Sequence, residues 1–372
     1  MRERLTWFFA SRWGIILTGA IIGIVATVLQ KLGNPKNMGI CVACFERDIA
    51  GALGLHRVAT VQYIRPEIIG FVLGSTLAAL VFSEFKARAG SAPIVRFLLG
   101  VFAMIGALTF LGCPWRANLR LAGGDFTAIP ALIGLAAGIS IGVWFLKQGY
   151  TLGRTQKTYP TVGWIMPAIM LGMFLLLIFR PTFSEGGPIF FSESGPGSLH
   201  APLLISLIAG LLVGFLAQRT RFCTVGAIRD VILMRDTHLI SGVGALLVAA
   251  FVMNLLLGQF NPGVTAQPVA HSNHLWNFLG MVLAGLSYTL AGGCPGRQLF
   301  LSGEGDGDAA VFVLGMIIGA GISHNFALAA KPDAMVDGVL KVGGLTPFGM
   351  GAVILGIVVA LVFGFTMRQK TN

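Results

Sequence analysis

Charged residues are scarce in this sequence, and their scarcity excludes a water-soluble fold. Only 11% of the 372 residues are charged, whereas 55% are hydrophobic. The mean hydropathy is +0.82. Soluble globular proteins carry about a quarter of their residues as charged side chains, which face the surrounding water. The composition therefore predicts a protein embedded in a lipid bilayer.

The sequence also lacks the short motifs of several enzyme classes. It contains no Walker motif, no dinucleotide-binding fingerprint and no H-E-x-x-H. We therefore expect neither ATP-driven transport by this chain alone nor enzymatic activity, and neither a cofactor nor a metal site. Nucleic acid is not an expected partner, because the basic residues behind the net charge of +11 lie at the ends of apolar segments. Positive-inside sorting explains that placement.

Long apolar stretches recur along the whole chain. A helix needs about 20 residues to cross the hydrocarbon core of a bilayer. We identify ten stretches, near residues 13–31, 66–84, 94–112, 126–147, 161–180, 201–217, 238–258, 273–293, 309–330 and 346–367. They predict an all-α polytopic membrane protein with about ten transmembrane helices. The basic N-terminus resembles that of a signal peptide, but no convincing cleavage site follows, which favours a retained first helix.

Glycine is abundant, with 51 residues in the chain. Small residues four positions apart allow membrane helices to approach closely. Such glycine pairs occur at 19 and 23, 134 and 138, 210 and 214, and 315 and 319. We expect these pairs to lie at helix contacts.

The charges of the loops predict an orientation. Loop 181–200, which carries Glu185 and Glu193, and loop 259–272 contain no lysine or arginine and are expected outside. The segments expected inside carry Lys86, Arg88, Arg96, Lys147, Arg154, Lys157, Arg219, Arg221, Arg229 and Arg235. Both termini then lie in the cytoplasm. Four basic residues oppose this scheme by falling on the outer side: Lys31, Arg47, Arg57 and Arg65.

The sequence repeats itself at an offset of about 181 residues, which indicates an internal duplication. Cys41, Arg47 and Asp48 align with Cys223, Arg229 and Asp230, and Gly112, Cys113, Pro114 and Arg116 align with Gly293, Cys294, Pro295 and Arg297. We therefore predict two membrane repeats, residues 1–180 and 181–372, in one integral membrane domain. Because each repeat has five predicted spans, the second is expected to be inverted in the membrane, as in many transporters.

Two segments are too short and too charged to span a membrane, yet too apolar for ordinary loops. They are residues 37–54 and 221–234. We predict that they are re-entrant or half-membrane helices, because irregular backbone at membrane depth is tolerated where it lines a cavity. In transporters built from inverted repeats, such elements line the substrate path between the repeats.

All five cysteines lie in these segments or at the ends of two predicted spans. In each G-C-P-x-R pattern, one helix is expected to end at the glycine and another to begin at the proline, which needs no amide partner there. The amides of that helix start, with Arg116 or Arg297 one turn in, form a candidate anion site. The thiol of Cys113 or Cys294 beside them suits a sulfur- or selenium-containing anion, because it is polarisable and a weak donor.

Other interpretations of these residues remain open. Free cysteine is often simply a buried small residue, although four at repeat-related positions, each followed by an arginine, argue against packing alone. Cys41 and Cys44 form a C-x-x-C, which is also typical of redox pairs and half metal sites, but the second half has Gly226 in place of Cys44. Arg47 and Arg229, each followed by an aspartate, either line the path or form ion pairs near the headgroups.

Three histidines are further candidates of less certain role. His324 lies inside the ninth predicted span. An ionisable residue there either takes part in the function of the protein or packs through a hydrogen bond. His271 and His274 lie in the predicted outer loop beside Trp276, which favours anchoring at the membrane interface over metal binding.

At the residues of the two repeats, the sequence resembles the YeeE/YedE sulfur transport family and, within it, the selenium-associated YedE branch. The resemblance rests on F-C-T-V-G-A-I-R-D at 222–230 and on the paired G-C-P-x-R elements, and it extends over nearly the whole chain. It implies a bacterial inner-membrane protein that passes thiosulfate or a selenium compound from thiol to thiol without a lasting covalent bond. The thiols implied are those of Cys41, Cys113, Cys223 and Cys294, with Cys44 an extra. The resemblance also implies a TusA-like cytoplasmic carrier protein as partner.

Three functions follow from these observations. The leading hypothesis is an uptake pathway for a small inorganic sulfur or selenium anion. The second is a membrane thiol/disulfide redox protein, which predicts a stable Cys41–Cys44 disulfide and loss of activity in Cys44→Ala. The third is a scaffold that docks a sulfur carrier through Arg219 and Arg221, for which cysteine substitutions would be silent.

Overall fold

Helices make up nearly all the regular structure of the computed structural model, which describes residues 2–181, 189–337 and 339–369. Glu185 of the predicted outer loop lies outside these residues. The helices are α1 (Arg2–Ala10), α2 (Arg12–Lys31), α3 (Val42–Ala52), α4 (Pro66–Val81), α5 (Pro93–Phe110), α6 (Pro114–Ala122), α7 (Ala128–Lys147), α8 (Pro160–Phe179), α9 (Leu203–Thr220), α10 (Thr224–Met234), α11 (His238–Leu256), α12 (His274–Ala291), α13 (Pro295–Gly303), α14 (Gly307–Asn325) and α15 (Pro347–Thr366).

Four short strands lie in the connections between helices. They are β1 (Arg88–Ala89), β2 (Gln156–Lys157), β3 (Ala334–Val336) and β4 (Val339–Lys341). β1 pairs antiparallel with β2, and β3 pairs antiparallel with β4. The β1–β2 pair joins two connections that are distant in sequence and both rich in basic residues.

The predicted all-α fold with about ten membrane helices is confirmed. In the described residues, nine helical segments are long and apolar enough to cross a membrane. The tenth predicted stretch, near 66–84, forms α4, an apolar helix of 16 residues. That length is below the about 20 residues that a full span requires. The chain is a multi-pass membrane protein.

The longest helix contacts form at the glycine pairs. Gly19 and Gly23 of α2 lie against the backbone of α11, and Gly210 and Gly214 of α9 lie against α4. The pair at 134 and 138 brings α7 onto α12, and the pair at 315 and 319 brings α14 onto α5. A Cβ atom at any of these eight positions would stand no more than 2.9 Å from a backbone atom of the neighbouring helix. The prediction of close packing through these pairs is confirmed.

The helix pairing follows the internal repeat. Helices α2–α8 correspond in order to α9–α15, and each set contains five long apolar helices and two short ones. The contact of α4 with α9 in the structure is repeated by the equivalent helices α11 and α2. The contact of α5 with α14 is likewise repeated by α12 and α7. Each half thus contributes helices to the other, and α5 packs on its own counterpart α12. The division at residues 180 and 181, and the inversion in the membrane, stay predictions.

The connections gather at two ends of the helix assembly. At one end, backbone hydrogen bonds join Lys86 to Glu304, Thr158 to Ala87 and Gln369 to Gly149. At the other end, they join Ser192 to Gln62, Asn261 to Gly123 and Asp333 to Ala270. The first end holds the connections expected inside and the second holds those expected outside. The two groups of connections predicted from the basic residues therefore agree with the two ends seen in the structure. Which end faces the cytoplasm stays a prediction.

Candidate functional site

Four short helices, α3, α6, α10 and α13, each begin at a cysteine. Cys41, Cys113, Cys223 and Cys294 are the residues that precede α3, α6, α10 and α13 and occupy their N-caps in extended backbone conformation. Proline is the first residue of α6 and α13, where its fixed φ suits a helix start. The predicted half-helices are confirmed as α3 and α10, and each has a second short helix beside it. All four thiols are therefore held at breaks in the helical backbone.

The first thiol pair joins α3 and α6. The sulfur atoms of Cys41 and Cys113 lie 3.7 Å apart, within hydrogen-bonding distance for thiols. The backbone amide of Cys44 donates to the Cys41 sulfur at 3.4 Å. Both thiols of the pair are buried, with at most 1% of either residue exposed.

The second thiol pair joins α10 and α13. The sulfur of Cys223 accepts hydrogen bonds from the backbone amides of Gly226 at 3.2 Å and Cys294 at 3.4 Å. Cys223 is 5% exposed and Cys294 is fully buried. The Cys223 sulfur therefore lies where two helix-start amides converge, as expected for a site that receives a hydrogen-bond acceptor.

Cys44 and Gly226 differ in side chain but have one feature in common. Each donates its backbone amide to the sulfur of the N-cap cysteine three residues earlier. The Cys44 thiol itself donates to the carbonyl of Leu111 at 3.5 Å and accepts from Arg116 at 3.5 Å. The repeat therefore preserves the amide at this position rather than the thiol. All five cysteines are free, including Cys41 and Cys44.

The two arginines of the G-C-P-x-R patterns have different surroundings. The guanidinium of Arg116 is fully buried and donates to backbone carbonyls of Asn37, Leu111, Pro268 and Val269. Arg297 is partly exposed and pairs with Glu304 at 3.4 Å. Arg116 therefore ties four chain segments together, whereas Arg297 faces open space.

Arg47 and Arg229 both pair with the aspartate that follows them. Arg47 contacts Asp48 at 2.7 Å, and Arg229 contacts Asp230 at 2.8 Å. The first pair is buried and includes Arg65, which reaches the other carboxylate oxygen of Asp48 at 2.7 Å. The second pair is partly exposed. Arg65 thus balances a buried charge, a role that its sequence position before α4 did not reveal.

Two cavities lie toward the two groups of connections, and the first of them reaches the thiol of Cys223. One of about 520 Å³ is lined by Cys223, Arg219, Arg221, Arg229 and Arg297, together with Gly292. Two aspartates, Asp230 and Asp236, also line it, so the four arginines leave an excess of positive charge beside the thiol, which favours small anions. It opens toward the end of the molecule that holds the basic connections.

The second cavity, of about 280 Å³, is lined by Arg47, Leu111, His324 and Lys331. Arg47 and Leu111 correspond in the repeat to Arg229 and Gly292 of the 520 Å³ cavity. The other lining residues include Pro196 and Val269, from the connections expected outside. The two cavities are therefore repeat-related entrances at the two ends of the molecule.

Between the cavities, the two thiol pairs meet across Trp115. Its ring packs against Phe222 at 5.7 Å between centroids, and Phe222 directly precedes Cys223. A Cβ atom on Gly296, two residues after Cys294, would lie 3.2 Å from the Trp115 ring. Trp115 and Gly296 are equivalent positions of the two repeats. The repeats therefore contact each other where their thiol pairs come closest.

Several buried polar residues at this junction escaped the sequence analysis. Glu46 is fully buried, and in the described part of the chain neither of its carboxylate oxygens has a hydrogen-bond partner. The same holds for the Tyr288 hydroxyl and the Trp115 indole nitrogen. The available indication was an acidic residue inside the apolar segment 37–54, at a position where the second repeat has Ile228.

The histidines have specific contacts. His271 is fully buried, and its Nε2 lies 2.7 Å from the Thr109 carbonyl oxygen, so its predicted role as an interfacial anchor is wrong. Burial lowers the pKa of His271, which favours the neutral ring with Nε2 as donor. His324 lines the 280 Å³ cavity and packs against His56, with ring centroids 4.5 Å apart and the ring planes tilted by 40°.

Comparison with known proteins places the second repeat in a functional context. Residues 219–372 match the family model described as sulphur transport. This segment contains Cys223, Cys294, Arg229 and Arg297. The thiosulfate transporter TsuA of Escherichia coli (strain K12) is 32% identical over 108 residues, which are 29% of this chain and 30% of TsuA.

A second relative gives the same result. The thiosulfate transporter TsuA of Spirochaeta thermophila is 33% identical over 99 residues, which are 27% of this chain and 29% of the relative. The chain thus spans less than a third of the length of these curated relatives. Residues 219–372 are thus similar to sulphur transport proteins.

Proposed function

We propose that this protein carries a small inorganic sulfur- or selenium-containing anion, such as thiosulfate, across a bacterial inner membrane. The single observation that carries the proposal is that four thiols at helix starts form two pairs, one of which borders the 520 Å³ cavity. The similarity of residues 219–372 to the sulphur transport family supports it. Cys41, Cys113, Cys223 and Cys294 are the proposed path.

The geometry supplies what an anion needs inside a bilayer. An unpaired charge in a low-dielectric interior is strongly disfavoured, so the path must offer donors at each stage. Helix-start amides and S–H groups are such donors, and they bind without adding a fixed positive charge that would trap the anion. Arg297 and Arg229 would attract the anion in the 520 Å³ cavity, and Arg47 would do so at the other entrance.

The structure gives less support to the redox hypothesis. The sulfur atom within hydrogen-bonding distance of Cys41 belongs to Cys113, and the Cys44 thiol is directed to the Leu111 carbonyl. The scaffold hypothesis keeps one supporting feature, the cluster of Arg219 and Arg221 at the mouth of the 520 Å³ cavity. A TusA-like carrier that receives the anion there is compatible with transport, and we propose it as a partner on that ground.

The first test is uptake of radiolabelled thiosulfate by cells that lack their own sulfur importers. We expect uptake with the native chain, loss of uptake in Cys294→Ala, and competition by an unlabelled selenium anion if selenium is also carried. Cys44→Ala is the matched control, because the second repeat functions with glycine at the equivalent position. Uptake that survives Cys294→Ala but is lost in Cys44→Ala would contradict the thiol path and favour the redox hypothesis.

A further inference from the structure

The junction between the thiol pairs holds an acid that the thiol path does not explain. Glu46 lies in α3, fully buried, and in the described residues neither carboxylate oxygen makes a hydrogen bond or an ion pair. α3 begins at Cys41 and contacts α13, which begins at Cys294. Glu46 therefore lies in a helix that carries a thiol of the first pair and contacts a helix that carries a thiol of the second.

The surroundings of Glu46 favour its neutral form. A buried carboxylate is stable only when a positive group or several donors compensate its charge. Arg47, the next residue, directs two of its donors to Asp48, and Arg65 reaches the same aspartate. The donors of Arg116 go to backbone carbonyls and Cys44. None of these arginine donors reaches a carboxylate oxygen of Glu46 in the described residues.

Most charged and titratable groups on the packed elements are engaged elsewhere, but His324 Nε2 and Glu67 Oε2 have no hydrogen-bond partner in the described residues. The elements that contact α3 are α4, α5, α13 and α14. Their groups are Arg65 and Glu67 at α4, Arg96 on α5, Arg297 on α13, and Asp308 and His324 on α14. Glu67 accepts from Asn34, Arg96 donates to the Ala291 carbonyl, Arg297 pairs with Glu304, and Asp308 accepts from the amides of residues 90 and 91. His324 packs against His56. Glu46 is hydrogen-bonded to none of them in the described structure.

The repeat shows that packing does not require an acid at this position. The equivalent residue of α10 is Ile228, an apolar side chain that is partly buried. An unpartnered polar group destabilises a folded protein relative to an apolar one of similar size. An acid that is present in only one repeat is therefore explained better by a role in transport than by a role in packing.

We propose that Glu46 is a proton-binding site that controls passage of the anion between the two thiol pairs, an inference that rests on the proposed transport function. When protonated, Glu46 offers an O–H donor to the anion. When the proton has left for water in one of the cavities, the remaining carboxylate repels the anion, and no free cation lies at hand in the described structure to offset that repulsion. Only the O–H bond of Glu46 forms or breaks in this cycle.

The experiment is thiosulfate uptake into proteoliposomes with equal pH on both sides, measured from about pH 6 to about pH 9, the range that includes known buried carboxyl titrations. We expect uptake by the native protein to fall at least about tenfold across this range as a negative charge appears on the path. Glu46→Gln, which is permanently neutral and keeps a donor, should show less than about a twofold change.

Two further variants control this comparison. Glu67→Gln also neutralises a buried carboxylate but preserves its hydrogen bond with Asn34, so its pH profile should follow the native one. Glu46→Leu removes the charge and the donor together, and it should be pH-independent with a lower uptake than Glu46→Gln. Size-exclusion profiles of all variants verify that the protein is folded.

The possible outcomes distinguish failure of the role proposed for Glu46 from failure of the proposed transport function. A native profile without the fall, or a Glu46→Gln profile that falls in parallel with the native one, would overturn the role of Glu46 while leaving thiosulfate transport intact. Absence of thiosulfate uptake by the folded native protein at every pH would instead contradict thiosulfate transport, the function on which the inference rests.

Discussion

Arg116 and Arg297 occupy equivalent positions in the two repeats but have different environments. The Arg116 guanidinium holds together α6, the end of α5 and two separate connections through four backbone carbonyls. If the guanidinium were removed, the carbonyls of Asn37, Pro268 and Val269 would lose their donor, whereas the Leu111 carbonyl would keep the Cys44 thiol. Arg297 has a single carboxylate partner and lines the 520 Å³ cavity. Its removal leaves few buried groups without partners.

At the residue scale, we therefore predict opposite effects for two matched substitutions. Arg116→Met should lower the free energy of unfolding by about 3 kcal/mol or more, because each abandoned buried acceptor costs about 1–3 kcal/mol. Arg297→Met should leave stability within about 1 kcal/mol of native, as is usual for partly exposed ion pairs, but should reduce anion uptake. Thermal unfolding in detergent and uptake by the same preparations measure both. Equal loss of stability in the two variants would show that the environments do not differ as described.

The elements are arranged by two devices that recur in both repeats. Short helices begin at cysteines, which holds the thiols at backbone breaks inside the molecule. Glycine pairs bring long helices of one repeat onto long helices of the other. The glycine contacts also position the short helices. The glycines of α9 approach α4, which contacts α13, and the glycines of α2 approach α11, which contacts α6.

At the element scale, the glycine contacts predict a clear contrast within the membrane helices. Gly214→Ala would place its methyl group against the backbone of Phe71 in α4 and should destabilise the protein by about 1–3 kcal/mol through overpacking. Gly244→Ala in α11 has no atom within 4 Å of the new methyl group and should be neutral or slightly stabilising. The unfolding temperatures of the two purified variants provide the measurement. Similar temperatures would mean that α9 and α4 pack less closely than the structure shows.

The two repeats pair their helices in a pseudo-symmetric way, but the thiols of the two repeats differ in their access to solvent. Cys223 borders the larger cavity and is partly exposed, whereas Cys41 and Cys113 are at most 1% exposed. The arginines around Cys223 also attract negatively charged reagents. The conformation described is therefore more open at the end with the basic connections, which positive-inside sorting assigns to the cytoplasm.

At the scale of the molecule, this asymmetry predicts the outcome of thiol labelling. A membrane-impermeant, anionic thiol reagent should label Cys223 in inside-out vesicles faster than it labels the other cysteines. Right-side-out vesicles should show little labelling of Cys223 under the same conditions. Mass spectrometry of the labelled peptides gives the measurement, and the Cys223→Ala variant is the control. Faster labelling of Cys223 in right-side-out vesicles would reverse the orientation.

The sequence by itself determined the membrane class, the ten apolar helices, the half-helices and the positions of the glycine contacts. These features depend on composition, local hydrophobicity and residue spacing, which the chain states directly. The boundaries of nine spans agree with the structure to within a few residues because apolar length is set by bilayer thickness. The repeat also identified Cys223, Arg229 and Arg297, which line the 520 Å³ cavity, and Arg47, which lines the 280 Å³ cavity.

Only the tertiary structure decided which of those residues are free to act. Arg116 and Arg297 share a motif, yet carbonyls contributed by residues 37 and 268–269, far away in sequence, engage one and not the other. Glu46 shows the same limit, since its lack of partners depends on every helix packed around α3. Local sequence fixes where a side chain begins, whereas the groups that reach it from distant segments determine its charge, its exposure and its chemistry.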